Sequence, residues 1–532
     1  MMGIKERRFD PLPRDISLEN LVPEDNRYRR LQAELDLSFV RELVAPLYAR
    51  GGRPSVDPVV FFKLQLVMFF EDLRSERELM RVAADRLSVR WYLGYDLHEA
   101  LPDHSNLTRA RERFGLRVFR RFFEAIVEMC AEAGLVWGEE LYFDATKVDA
   151  NASADSMKPR FAVEAHLSDL FGEDEPEPRP DATGAPGGDP PGRASEKTHE
   201  DLTRANAGRH DWLSSAGRPR RGVVRGHYRR KADFVASATD PDASLMQRRA
   251  GGSHPGYHAH YAVDGGKARV ILAALVTPSE VMENQPMLDL LWRSRFRWHL
   301  KLRRVTGDTT YGTAENVKAV EDAGIRAYVP LPDFGKRTPF FGKRDFVYDA
   351  EKDVYVCPRG EDLRRYARVR KERIVKYRAA ATTCNACPEK SRCTNSSKGR
   401  VVSRGFDEGY LEKVRSYHGA APYEKAMRKR RVWVEPMFAE AKDWHGMRRF
   451  RLRGLERVNA EALLTAAGQN VKRLLAYGGG KPRRPAKEDA LRQPGPTPCR
   501  SFRARRHLAG LVRPVLQQPA VVIGSRSKVV GI

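Results

Sequence analysis

The sequence predicts an α/β protein: a mixed β-sheet flanked by helices, with a helical domain before it and a cysteine-bearing β insertion interrupting it. Three observations carry this expectation. Apolar residues recur at helical spacing through the first 135 residues. Short apolar runs bounded by turn residues then alternate with helical stretches between residues 139 and 331. Helical periodicity returns over residues 423–477.

Within residues 1–135, Asp57-Pro58 opens an apolar run, Val59-Val60-Phe61-Phe62, that continues through Leu64, Leu66, Val67, Phe69 and Phe70. Asp57 suits an N-cap and Pro58 the first helical position, where its missing N–H is not needed. Ser75 opens a second helix, with Leu79, Met80, Val82 and Ala83 at helical spacing. After a break at Pro102-Asp103-His104-Ser105, Arg109, Arg111, Arg113, Arg117, Arg120 and Arg121 interleave with apolar residues. Short helices ending in an Arg-rich one form the pattern of a helix-turn-helix-like DNA-binding domain, with Arg109 and Arg111 as candidate DNA contacts. The alternative is a helical bundle with a solvated basic face.

Residues 136–331 carry the first part of the α/β unit. Leu141-Tyr142-Phe143-Asp144 reads as a buried strand that ends in an acid. Residues 155–235 are expected to be a disordered insertion, because stretches such as Gly187-Gly188-Asp189-Pro190-Pro191-Gly192 cannot bury a core. Residues 257–263 and 268–276 flank Asp264-Gly265-Gly266 as a hairpin. A helix over 283–298, a short strand over 302–308, a helix over 314–323 stopped by Gly324, and a strand over 325–331 complete the alternation. Residues 332–420 interrupt it, with Phe346-Val347-Tyr348 and Val354-Tyr355-Val356 as a second hairpin. Residues 421–477 supply the C-terminal helices, and residues 478–532 form a basic, Pro-rich tail without apolar periodicity.

Lys and Arg outnumber Asp and Glu by 95 to 70, a net charge of +25. Such an excess favours a polyanionic partner; DNA, RNA or an anionic membrane surface would satisfy it, and a generally Arg-rich proteome is the bland source. No stretch approaches the roughly 18 apolar residues of a membrane span, and the N-terminus lacks an apolar signal core. A cytoplasmic protein with no membrane partner is therefore expected.

Three acids carry the chemistry. Asp144 ends one apolar run, Asp308 ends Val305-Thr306-Gly307, and Glu435 lies in the basic stretch Arg431-Val432-Trp433-Val434-Glu435-Pro436. Two strand-borne aspartates and a late glutamate can hold two Mg²⁺ ions about 3.5–4 Å apart for phosphoryl transfer on nucleic acid. Taken singly, a strand-end aspartate is more often a turn former or cap. Asp149 competes with Asp144, although its odd offset places it on the other strand face. Glu424 and Glu440 compete with Glu435. Pro436 either starts a helix near Glu435 or kinks one there. In an unbroken helix Arg431, Glu435 and Lys442 would share a face.

These motifs resemble bacterial insertion-sequence transposases of the DDE type, in particular the subgroup whose third acid lies in a Tyr-x2-Arg-x3-Glu-x6-Lys signature. Arg431, Glu435 and Lys442 fit that spacing, while Arg428 stands at the tyrosine position. Asp144-x-Thr146 with Asn151-Ala152-Ser153 is similar to the first-acid segment, and Gly307-Asp308 with Tyr311-Gly312 to the second. The resemblance spans residues 20–475. It implies an RNase H-like catalytic domain with an insertion before the Glu-bearing helix. It further implies Asp144, Asp308 and Glu435 as catalytic, Mg²⁺-binding residues, with Mn²⁺ able to substitute. Arg428, Arg431 and Lys442 would hold DNA phosphates. The implied partners are double-stranded DNA, as element ends and target, and a second copy in a homodimer; a nucleoid-associated location follows. The implied activity is binding of terminal inverted repeats with metal-dependent strand cleavage and strand transfer. A DNA-binding derivative without catalysis, or a nuclease without strand transfer, are the alternatives.

Six cysteines are too few for a disulfide scaffold. Four of them cluster: Cys357, then Cys384-x2-Cys387, then Cys393. This pattern is compatible with tetrahedral structural Zn²⁺, and equally with reduced thiols in a small subdomain. His254, His258 and His260 are expected to pack or cap, and Cys130 to lie in the core.

Overall fold

Capping and burial follow the expected elements closely along the N-terminal third. The computed structural model describes residues 16–48, 55–159, 235–247, 252–333, 335 and 339–478, all within one unit, Met1–Arg483. Seven helices come first: α1 (Leu18–Leu21), α2 (Arg27–Glu34), α3 (Phe39–Val44), α4 (Pro58–Phe70), α5 (Glu76–Asp85), α6 (Leu87–Leu93) and α7 (His104–Glu132). Asp57 accepts from Val59 N at the start of α4, and Ser75 from Glu78 N at the start of α5, as their sequences predict. The Arg-rich α7 is 29 residues long and kinked at Gly115. Its apolar side carries Phe114, Phe119, Phe122 and Ile126 into the core, while Arg109, Arg113 and Arg117 stay exposed.

The central sheet contains β1 (Glu140–Asp149), β4 (Ser244–Gln247), β5 (Ser253–Asp264), β6 (Ile271–Pro278), β7 (Arg304–Thr306) and β8 (Arg326–Tyr328). Between β1 and β4, β2 (Met157–Pro159) pairs with β3 (Val235–Ser237), so the flanks of the expected disordered insertion are joined. The residues between those flanks lie outside the described ones. The sheet runs β4-β5-β1-β7-β8, with β6 also on β5. β5 is antiparallel to β1 and β6; β7 is parallel to β1 and β8. Helices α8 (Met287–Arg297) and α9 (Ala314–Asp322) supply the crossovers that parallel strands require.

Five antiparallel strands make the second sheet: β9 (Val347–Asp349), β10 (Val354–Val356), β11 (Asp362–Val369), β12 (Ile374–Arg378) and β13 (Val401–Gly405). The hairpin read from the sequence is thus the first two strands of a larger unit. Short helices α10 (Ala381–Asn385) and α11 (Lys390–Cys393) precede β13. A small core of Phe346, Tyr355, Leu363, Tyr377, Ala379 and Val402 holds the sheet together.

The chain then returns through α12 (Glu408–Tyr417), α13 (Ala421–Lys429), a π-helical turn (Arg430–Val434), α14 (Glu435–Trp444) and α15 (Leu455–Tyr477). α15 lies along β6 and closes its open edge. Asn470 bonds Ile271 N and O at 2.9 and 2.8 Å, and Asn459 bonds Val276 N and O at 2.8 and 3.0 Å. The spacing fits: eleven helical residues and five strand residues both span about 16.5 Å. Each asparagine side chain thereby stands in for a neighbouring strand's backbone. One apolar core runs from Tyr28 and Phe62 through Phe143 and Val305 to Leu463, so the N-terminal helices and the central sheet are packed as one body. Among the described residues no helix is long and apolar enough to cross a membrane.

Candidate active site

Strand register brings the first two acids together. Tyr142 on β1 pairs with Thr306 on β7, the last parallel pair. Asp144 and Asp308 each follow two residues later, just beyond the carboxyl end of the parallel β1–β7 pairing. Ligands of open α/β sheets sit at such ends. Gly307 lies under the Tyr311 ring, where a Cβ would come within 2.8 Å, and this lets the chain turn sharply after β7. Asp308 accepts from Thr310 N at 2.8 Å and caps that turn. The capping role expected of a strand-end aspartate and a place beside Asp144 therefore coexist.

β1 continues through to Asp149, which leaves Asp144 within the strand and its side chain only 13% exposed. Burial pushes the Asp144 carboxyl up to about 7. Arg430 and the Ala145 N–H oppose that rise, and the charges of Asp308 and Glu435 add to it. Asp308 and Glu435 thus both act on Asp144 although the three come from distant segments. Buried Tyr311 lies beside them: its phenol is raised by burial and by the charges of Asp144, Asp308 and Glu283.

Glu435 is the first residue of α14, with Pro436 next. The helix does begin there, but through a π turn. A π turn bonds i to i+5, and this aligns residues five apart rather than four. Arg430, not Arg431, is consequently the cation at the acids: its guanidinium is 2.9 Å from Glu435 Oε1 and 3.7 Å from Asp144 Oδ1. Arg428 and Arg431 are exposed, away from these two contacts. The signal for this was Pro436, whose missing N–H cannot bond the carbonyl four residues earlier and invites an irregular turn. Lys442, half-buried on α14, has its ammonium pKa lowered by burial and by Arg448.

The rival Glu440 faces elsewhere. It bonds Lys472, Gln469 Nε2 at 3.1 Å and Arg473 at 3.4 Å, with His445 3.7 Å away. Although burial opposes it, this set of donors holds its carboxyl well below the usual range. Glu440 is a structural ion-pair centre, and Glu424 is exposed on α13. Arg111 departs from expectation. It is buried and paired with Glu76, which also meets Arg451 at 3.2 Å. Burial, then Arg451, lowers its pKa to about 10. A guanidinium held inside in this way does not reach DNA; Arg109 on the same helix is exposed.

The donor set at the acids is all carboxylate oxygen, the chemistry that suits Mg²⁺ or Mn²⁺. As the side chains stand, no group of three His, Cys, Asp or Glu among the described residues is close enough to hold a metal ion. Arg430 fills the space between Asp144 and Glu435 as a cation.

Cys357, Cys384, Cys387 and Cys393 line one small pocket beside the five-stranded sheet, all as free thiols. Backbone N–H groups of Arg359 and Glu361 donate to Cys357 Sγ, and that of Arg400 to Cys384 Sγ, each at 3.4 Å. Burial raises the Cys393 thiol, with the other three cysteines adding to the effect and Arg400 opposing it. Cys130 is fully buried in the core, and His258 and His260 are packed within β5, as expected.

Residues 16–113 match a family described as a transposase domain (DUF772), and residues 356–475 match one described as a transposase DDE domain. Glu435 and the four clustered cysteines fall inside the second match; Asp144 and Asp308 fall between the two. No curated protein and no solved structure matches the chain.

Proposed function

We propose that this chain is the transposase of an insertion sequence, a reading its two transposase-domain matches support, and that it binds the terminal inverted repeats of its element and catalyses metal-dependent strand cleavage and strand transfer. The observation that supports this reading is the placement of Asp144 and Asp308 just beyond the parallel β1–β7 pairing, with the Glu435 charge reaching Asp144 and Arg430 contacting both Asp144 and Glu435. The sheet order and direction, antiparallel β6-β5-β1 followed by parallel β7 and β8, support an RNase H-like assignment.

Asp144, Asp308 and Glu435 would hold two divalent ions, Mg²⁺ or Mn²⁺. When bound, such ions neutralise the attacking and leaving oxygens of an in-line phosphoryl transfer. Arg430 would leave the Asp144 carboxylate and turn to a DNA phosphate, a planar bidentate match. Exposed Arg428, Arg431 and Arg109, with half-buried Lys442, would hold backbone phosphates and fix the duplex across the site. Two copies acting on two element ends complete the reading. We further assign a structural Zn²⁺ to Cys357, Cys384, Cys387 and Cys393, supported by their shared pocket and by the N–H donors that favour thiolate.

The test is a cleavage and joining assay on element-end DNA, with wild type beside Asp144→Ala. Wild type is expected to cleave and join, and the variant to bind DNA but do neither. Cleavage that survives in the variant removes the catalytic assignment. Cleavage without joining in wild type points to a nuclease, and binding without cleavage to a non-catalytic derivative.

A further inference from the structure

Glu283 precedes α8, in the turn that leaves β6, and was read from the sequence only as the start of a helix. Its side chain is 26% exposed. The turn is tied directly to the Asp308 turn by one side chain: Asn316 on α9 donates from Nδ2 to Asn284 O at 3.2 Å and to Tyr311 O at 3.5 Å. Electrostatics agree with that geometry. Burial raises the Glu283 carboxyl pKa, and Asp308 is the next contributor, with Lys147 opposing.

A second group points at the same place. His258 on β5 is 6% exposed, and its Nδ1 is 3.0 Å from Val281 O. A carbonyl only accepts, so Nδ1 carries the proton, and in the neutral ring Nε2 presents a bare lone pair. Burial favours that neutral ring. Nε2 has no hydrogen-bond partner and lies 3.9 Å from Glu283 Oε1. Two facing acceptors, the imidazole buried and the carboxylate partly so, are unfavourable unless something electropositive lies near them; the charge of Lys147 reaches both, without a hydrogen bond to either. Three carboxylates carry less negative charge than two divalent ions carry positive, which leaves room for a further anionic ligand.

We propose that Glu283 is a fourth cation-binding carboxylate of the acidic site, standing on the Asp308 side and held there by the Asn316 bridge. This rests on the reading that Asp144, Asp308 and Glu435 hold divalent metal.

Mn²⁺ titrated into the full chain, with free Mn²⁺ followed by its electron paramagnetic resonance signal, tests the proposal without any turnover. Glu283→Gln is expected to weaken Mn²⁺ binding by about 10- to 100-fold. Glu283→Asp, which keeps the charge but shortens its reach, is expected to fall between that variant and wild type. Thermal unfolding without metal reports whether each variant folds, and if Glu283→Gln does not, Glu283→Asp alone decides. Wild-type affinity in the folded Gln variant, or in the Asp variant where it alone decides, overturns the proposal while leaving the triad intact, provided Asp308→Asn binds weakly. If Asp308→Asn binds as tightly as wild type, or wild type does not bind, the triad reading falls and this proposal falls with it.

Discussion

The central sheet and the five-stranded sheet each gather reactive side chains in one place, and they do so in opposite ways. The six-stranded central sheet joins β1 to β7 in parallel, so its acids come from segments far apart and meet only when the whole unit has formed. In the five-stranded sheet every strand pairs with its neighbour in sequence, and the four cysteines come from the turn after β10 and from α10, α11 and the link between them. One site is assembled by long-range register, the other by local turns. The first can store the cost of a poorly solvated acid in a large shared core. The second has a core of six buried side chains and gains more from a metal staple.

The sharpest way to break this contrast lies on one helix. Glu435→Gln is expected to reduce strand cleavage by roughly 10²–10³-fold, the usual loss for one electrostatic group at a reacting centre, with little change in urea unfolding. Glu440→Gln should do the reverse, costing about 2–3 kcal/mol of stability at pH 7 through its lost bonds to Lys472 and Arg473. If Glu440→Gln abolishes cleavage in a folded protein, the third acid has been assigned to the wrong residue.

Beside the five-stranded sheet, the double variant Cys384→Ser/Cys387→Ser should drop zinc from about one equivalent per chain to near none, the expectation for a four-thiolate site. Limited proteolysis should then cut between residues 339 and 405, while Mn²⁺ binding at the acids is retained. Equal zinc content in wild type and variant would leave the thiols without a metal role.

Smaller effects follow from protonation. The Glu440 carboxyl is held below its unfolded value of about 4.5. Its contribution is therefore fully present above that pH and is lost progressively as pH falls below it toward the much lower folded value, so the stability gap between wild type and Glu440→Gln should narrow steadily with acidification. Asp144 has the opposite sign. Its folded value of about 7 exceeds the unfolded 3.8, so metal-free protein loses stability as pH rises between those values. Asp144→Asn should raise Tm by about 2–4 °C at pH 8 and much less at pH 4. No pH-dependent difference would mean that Asp144 is better solvated than its burial implies.

Local signals were legible in the sequence, and non-local ones only partly. Asp57, Ser75 and the hairpin turn at Asp264-Gly265-Gly266 declared themselves, because a cap or a turn needs only neighbours. Asp144 and Asp308 were legible as acids after apolar runs, yet nothing in their spacing shows that Tyr142 pairs with Thr306. Face arithmetic at four residues selected Arg431, and the π turn moved the contact to Arg430. Charge count selected Arg111, but its neighbours in space, Glu76 and Arg451, come from elsewhere in the chain. Glu283 carried no signal at all, since its significance depends on Asn316 and His258 across the fold.

Gly468 on α15 deserves a last consequence. A Cβ there would sit 2.5 Å from the Phe69 ring of α4, and His445, just past α14, stacks on that same ring at 3.6 Å. One phenyl group thus interlocks the N-terminal helices with the segment that bears Glu435. Such a joint forbids modular exchange: a foreign N-terminal module grafted before β1 would leave a hole beside Gly468 and an unsupported imidazole. Recombination between relatives should therefore transmit the N-terminal helices and the last two helices as a single inherited block, even though more than three hundred residues separate them in the chain.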